Sequence, residues 1–240
     1  MNVAESPIAG GSCQTISIAA AVHAATGKLH KTLVSLAKQG DDALSDATVE
    51  NTELRDGGLY RTSDRAGESF AAILTRAGRD VIEAEASAPM PIEMRKYSMG
   101  SYGAQFCEVR VREDSGELRI SRWLGSFDCG RIVNPKTATS QLRGGIVMGI
   151  GMAISEETLL DERSGRIMNA SLAEYHVPVN LDVPPVEILF NDIPDPHTPL
   201  GAHGIGELGI TGVAAAIANA VYHATGKRTR ELPITLDKLL

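Results

Sequence analysis

The sequence predicts an α+β fold in which mixed and antiparallel sheets pack with helices. Three observations predict it: short alternating segments arranged as hairpins, Ala-rich helical segments among them, and no regular run of βαβ units. A length of 240 residues allows one large domain or two small ones. The stretch Pro89-Met90-Pro91 and the region from Tyr97 to Gly103 mark an internal boundary. It separates a first α+β lobe with a glycine loop, residues 1–96, from a second, residues 97–240.

Each element has a local reason. Pro7 to Ser12 reads as a loop, and a chain opening on such a loop reads as a piece of something longer. A helix is expected over Thr15 to Thr26, ended by Gly27, and a second over Leu29 to Gln39, where Leu29, Leu33, Leu36 and Ala37 share a face. Ala47 to Ser63 reads as short strands around Arg55-Asp56-Gly57-Gly58, a hairpin signal because the glycines take positive φ. Glu68 to Arg76 reads as helix, and Val81 to Ala86 as a half-buried strand.

Gln105 to Arg112 and Glu117 to Phe127 alternate apolar and polar residues across the turn Asp114-Ser115-Gly116, which predicts a second hairpin. Pro135 starts a long helix to about Ile154, with proline at the position where its missing N–H costs nothing. Asp161 to Gly165 reads as a strand turn, Val186 to Phe190 as a strand, Asp192 to Gly206 as a loop, and Val213 to Thr225 as a last helix.

Composition narrows the function classes. The net charge of −7 offers no clustered Lys and Arg for phosphate contacts, so nucleic acid is not an expected partner. The longest apolar stretches, such as Ile16 to Ala25, are too short to span a bilayer, so no membrane contact is expected. Cys13, Cys107 and Cys129 have no C-x-x-C spacing and read as small buried residues rather than ligands or nucleophiles. His176, His197 and His203 match no zinc spacing, so no side chain is assigned to a metal. A reduced, cytoplasmic compartment is the default, and export to the periplasm requires a signal on a partner chain.

The two ends carry one helix twice. Ile18 to Lys28 (IAAAVHAATGK) and Ile217 to Lys227 (IANAVYHATGK) agree at about eight of eleven positions. Glycines precede each copy, Gly10 and Gly11 in one and Gly204, Gly206 and Gly209 in the other. Such helix starts serve as scaffold packing or as anion sites with free N–H groups, and repetition alone does not choose. What separates the copies is Glu207, a carboxylate between Gly206 and Leu208.

Four motifs resemble the molybdenum-binding subunits of xanthine dehydrogenases, aldehyde oxidases and related hydroxylases. They are Tyr102 to Val109 (YGAQFCEV), Asp128 to Pro135 (DCGRIVNP), Gln141 to Gly151 (QLRGGIVMGIG) and Gly204 to Glu207 (GIGE). The resemblance implies the C-terminal part of such a subunit, with the α+β fold of its molybdopterin-binding domain. It matches Glu207 to the glutamate beside the molybdenum, the general base when water-derived oxygen is inserted at an aldehyde or N-heteroaromatic carbon. Gln141, Gly144 and Gly145 match the pterin-contacting segment, and Gly11, Ser12, Thr15 and Ser17 fall near the cofactor's phosphate end. Gly204 and Gly206 let the glutamate's loop pass close to a bulky cofactor.

The cofactor implied is molybdopterin, with the cytosine dinucleotide as one form. The implied partners are the N-terminal part of the molybdenum subunit, an iron–sulfur subunit and an FAD subunit, which carry the iron–sulfur clusters and flavin. Without them the isolated chain is expected to be inactive. Leu208-Gly209 stands where many xanthine-oxidising members have two prolines, which turns the expectation away from purines. A non-catalytic cofactor-binding or assembly domain of the same fold is the alternative. A solvent-facing amide remains the alternative role for Gln141. A metal-independent hydrolase finds no Gly-x-Ser-x-Gly motif to support it.

Overall fold

A computed structural model describes residues 10–40, 42–87, 96–198 and 200–240. Pro7 to Ala9 of the expected opening loop and the Pro89-Met90-Pro91 boundary lie outside the described residues. The chain divides into two compact units, Ser17–Ile92 and a second made of Met1–Ile16 with Glu93–Leu240.

Most of helix α1 (Gln14–Ala37) belongs to the first unit. The helix runs through Gly27, which corrects the expected break there. Gly27 keeps a negative φ, and Leu33, Val34 and Ala37 after it are buried. That burial offsets the roughly 0.5–1 kcal/mol that a mid-helix glycine costs relative to alanine.

Strands β1 (Thr52–Arg55), β2 (Gly58–Arg61) and β3 (Gly67–Ser69) form an antiparallel sheet in that order. The predicted hairpin is present, with Asp56 and Gly57 at φ 47° and 75° and Gly58 already in the strand. Helix α2 (Phe70–Arg76) starts two residues later than expected because the Ser69 hydroxyl caps it, accepting from the Ala72 N–H at 3.2 Å. Residues 81–87 form no strand, a second correction. Their alternation is real, but no described strand lies beside them to complete a ladder. Leu44, Ala47, Leu59 and Ile73 close the core beneath α1.

The second unit is built on the hairpin of β4 (Tyr102–Val111) and β5 (Leu118–Asp128), as the alternation predicts, with a bulge between Glu108 and Val109. Helix α3 (Pro135–Ile154) follows, and the short pair β6 (Leu160–Asp161) and β7 (Arg166–Ile167) flanks the expected turn. Strand β8 (Val186–Phe190) pairs parallel to β5, giving the order β4-β5-β8. Helix α4 (Val213–Thr225) closes the unit.

The core lies between this sheet and the two helices, where Trp123, Phe127, Leu142, Ile146, Ile150, Val213, Ile217 and Val221 are buried together. Gly149 lets α3 and α4 touch, since a Cβ there would lie 2.5 Å from Val213 Cβ. Gln105 ties sheet to loop. Its amide nitrogen donates to the Gly209 and Thr211 carbonyls at 3.1 and 2.6 Å, and its oxygen accepts from Trp123 Nε1 at 3.2 Å. Among the described residues no helix is long and apolar enough to cross a membrane.

Candidate active site

Three loops of the second unit meet at the start of α3. The first is the turn Gly10–Cys13, where Gly11 and Ser12 both have φ 59° and the Cys13 N–H closes on the Gly10 carbonyl at 3.2 Å. The second, residues 129–134, ends in Asn134, whose Oδ1 accepts from the N–H groups of Lys136 and Thr137 and caps α3. The third, residues 201–212, carries Glu207.

Main-chain bonds fix these loops to one another. The Gly206 N–H donates to the Gly11 carbonyl at 3.0 Å, and the His203 N–H donates to the Cys129 carbonyl at 2.8 Å. Glycine is required at the first contact. A Cβ on Gly206 would fall 2.5 Å from Gly11 Cα, and one on Gly204 would fall 2.5 Å from the Gly11 carbonyl oxygen. What these glycines admit is therefore the opposing glycine turn. Gly145 does the same for α3, since its Cβ would lie 2.7 Å from the Ile210 nitrogen.

Gln141 donates from Nε2 to the Gly206 carbonyl at 2.7 Å, so its amide is committed to the loop beside Glu207. The Glu207 side chain is exposed and makes no ion pair with a described residue. Its Oε2 lies 3.8 Å from where a Cβ on Gly11 would be, and its own carbonyl accepts from Thr211 Oγ1 at 3.1 Å. Gln141, Gly206, Gly11 and Glu207 are thus neighbours, although up to 196 positions separate them in sequence, from 11 to 207.

A cleft of about 260 Å³ opens beside this cluster, lined by Ser12, Thr15, Arg131, Asn134, Gln141 and His203, among others. Of the residues expected at the cofactor, Ser12, Thr15 and Gln141 line it. Gly144 does not, being exposed on α3 with nothing within 4 Å of a Cβ placed there. Ser17, Gly11, Gly145, Gly204, Gly206 and Glu207 are not among the lining residues either.

Arg131 and Asn134 are cleft residues that the sequence did not single out, and His203 is one that it weighed only as a metal ligand and left unassigned. Arg131 and Asn134 stand inside a motif already visible, whereas His203 needed the fold. Its Nε2 lies 2.5 Å from Asp195 Oδ2, both side chains are largely buried, and Nδ1 is buried with no hydrogen-bond partner among the described residues. Burial pushes the Asp195 carboxyl up, but its bonds to His203 and to the His197 N–H outweigh this and hold it below the usual carboxylate range.

The cysteines divide. Cys129 is buried and Cys107 partly so, and burial pushes both thiols up to about 11, with the charge of Asp128 adding to the effect at Cys129. They are inert thiols. Cys13 is exposed, which corrects the expectation that it is buried. It sits at the end of the Gly10–Cys13 turn. Among the described residues no cluster of His, Cys, Asp and Glu could hold a metal ion.

The model of the molybdopterin cofactor-binding domain matches residues 1–184. The chain belongs to that family. The chain is similar to the aldehyde oxidoreductase molybdenum-binding subunit PaoC of Escherichia coli K12, 47% identical over 167 residues. That match covers 69% of this chain but 22% of PaoC, so the chain spans about a fifth of the length of this relative.

Solved structures share the fold. A Cu,Mo-CO dehydrogenase superposes with a TM-score of 0.74 over 96% of this chain and 29% of its own, at 22% identity, which speaks for the fold alone. Quinoline 2-oxidoreductase from Pseudomonas putida 86 superposes with a TM-score of 0.69 at 25% identity, over 87% of this chain and 27% of its own. The resemblance read from the four motifs is borne out, and so is the α+β fold it implied.

Proposed function

We propose that this chain contributes the catalytic base and part of the cofactor cradle to a molybdenum hydroxylase that oxidises an aldehyde or N-heteroaromatic carbon with water-derived oxygen. One observation carries the reading: the hydrogen bond from Gln141 to Gly206 joins the pterin motif to the loop whose next residue is Glu207, exposed and in no ion pair with a described residue. The names of the similar proteins, an aldehyde oxidoreductase subunit and a quinoline oxidoreductase, support the substrate class.

The donor set fits an anionic pterin cofactor. Ser12 and Thr15 offer hydroxyls, Arg131 offers a guanidinium, and helix α1 begins at the cleft, where the positive end of a helix favours phosphate. His203 Nδ1, buried and without a hydrogen-bond partner among the described residues, is a further polar atom available to a bound group. Gln141 has spent Nε2 on Gly206, which leaves its Oε1 to accept from a ring N–H. Gly11, Gly145, Gly204 and Gly206 hold the loops close enough for these groups to converge. Gly144 and Ser17 are carried by the resemblance alone.

When bound, the cofactor supplies the two-electron redox chemistry. Glu207 supplies the proton transfer, accepting a proton at its carboxylate as oxygen is delivered to carbon. Aspartate reaches one methylene less far, and glutamine can bond but cannot take the proton. The cytosine dinucleotide form of the pterin belongs to this proposal, as do the N-terminal part of the molybdenum subunit and the iron–sulfur and FAD subunits with their clusters and flavin. Cytoplasmic residence, or co-export to the periplasm with a signal-bearing partner, belongs to it as well.

The test is Glu207→Gln in the assembled enzyme. Molybdenum content stays nearly intact while turnover falls by about 100- to 10,000-fold, the usual range for a general base. Unchanged turnover would remove Glu207 from the mechanism.

A further inference from the structure

The repeated helix occurs in two opposite environments. In α4, Ile217 and Val221 stand one turn apart on the buried face and are both 0% exposed. They are enclosed with Trp123, Phe127, Ile146 and Ile150 between the β4–β5 sheet and α3. Their counterparts in α1, Ile18 and Val22, are 49% and 58% exposed. Side-chain spacing is the same in both copies, and so are the alanines at Ala19 and Ala21, matched by Ala218 and Ala220, which keep the helix surface low enough for a sheet to approach.

A helix face that buries itself on a sheet in one copy and stands in water in the other lacks a covering layer. The matched region amounts to 22% of the length of the PaoC subunit, so a relative of that size carries ample polypeptide from which such a layer could come. We infer that the N-terminal half of α1, through Ile18 and Val22, docks on the apolar face of a β-sheet formed by parts of the molybdenum-binding subunit beyond these 240 residues. This inference rests on reading the chain as part of a molybdenum hydroxylase. It assigns that assembly a specific seam, which no feature of the active site requires.

The experiment places the photo-crosslinker p-benzoylphenylalanine at position 18 or 22 of the full-length subunit in the assembled enzyme, followed by peptide mapping after illumination. The expected result is crosslinks within the same subunit, outside this chain, at residues that alternate in sequence as one face of a strand does. Crosslinks to a second copy, to an iron–sulfur or flavin subunit, or to nothing overturn the docking. Molybdenum content of the same sample separates the two readings. Metal present without the expected crosslinks overturns only the docking, and the crosslinks without metal overturn only the hydroxylase reading.

Discussion

Gln141 on α3 donates its amide to the carbonyl of Gly206 at 2.7 Å, which joins a helix fixed in the core to the residue before Glu207. The helix side of that bond is rigid, because Leu142 and Ile146 beside it are wholly buried. The glutamate's loop is therefore held from two sides, by Gln141 and by the turn at Gly11.

Gln141→Ala removes one of these ties. A single hydrogen bond contributes about 0.5–1.5 kcal/mol, so thermal unfolding moves by a few degrees at most. Molybdenum content of the assembled enzyme should fall by more than that small loss of stability accounts for. Metal analysis beside a melting curve checks this, and an unaltered metal content assigns Gln141 a purely structural bond.

Gly206→Ala and Gly144→Ala should act in opposite directions. The first forces a Cβ to within 2.5 Å of Gly11 Cα and drives the two loops apart, lowering both the melting temperature and molybdenum content. The second meets nothing within 4 Å and adds helix propensity, stabilising α3 by about 0.5–1 kcal/mol. Loss of molybdenum from a stabilised Gly144→Ala variant would show that Gly144 does touch the pterin.

Asp195→Asn leaves His203 without its carboxylate. Hydrogen bonds to charged groups contribute about 1.5–3 kcal/mol, and the variant should be destabilised on that scale near neutral pH. Because the folded carboxyl is held below its ordinary value, its stabilisation is fully present above about pH 4 and is lost as the pH falls through the folded value. Urea titrations of the parent and variant should therefore converge in acid.

Alkali should act through the cysteines. Cys107 and Cys129 are raised to about 11 in the fold, so the stability they contribute is complete below the ordinary thiol value near 8.5 and is lost as the pH climbs towards about 11. At pH 8 both remain thiols. Iodoacetamide should modify exposed Cys13 first, and mass spectrometry of a time course gives the order.

Much of this molecule is local and was legible in the sequence. The hairpin of β4 and β5, the helix starting at Pro135 and the last helix follow from alternation, the proline at the helix start and apolar spacing. Glu207 and Gln141 stood out through their motifs, but the bond between Gln141 and Gly206 spans 65 positions and no periodicity encodes it. His203 and Asp195 were invisible as a pair because two loop residues have no pattern until a fold closes them.

The sequence by itself determined most of the helices and strands, though not the continuity of α1 through Gly27 or the absence of a strand at residues 81–87. It also determined which carboxylate is chemically distinctive, since these features depend on neighbours along the chain. Only the tertiary structure decided what a repeated segment becomes. The same Thr-Gly-Lys ends α4, where Gly226 takes φ 74° before a polar stretch, and lies inside α1, where apolar residues beyond Gly27 find a core. Helix propensity is local, whereas termination and burial depend on the surface that a distant part of the chain supplies.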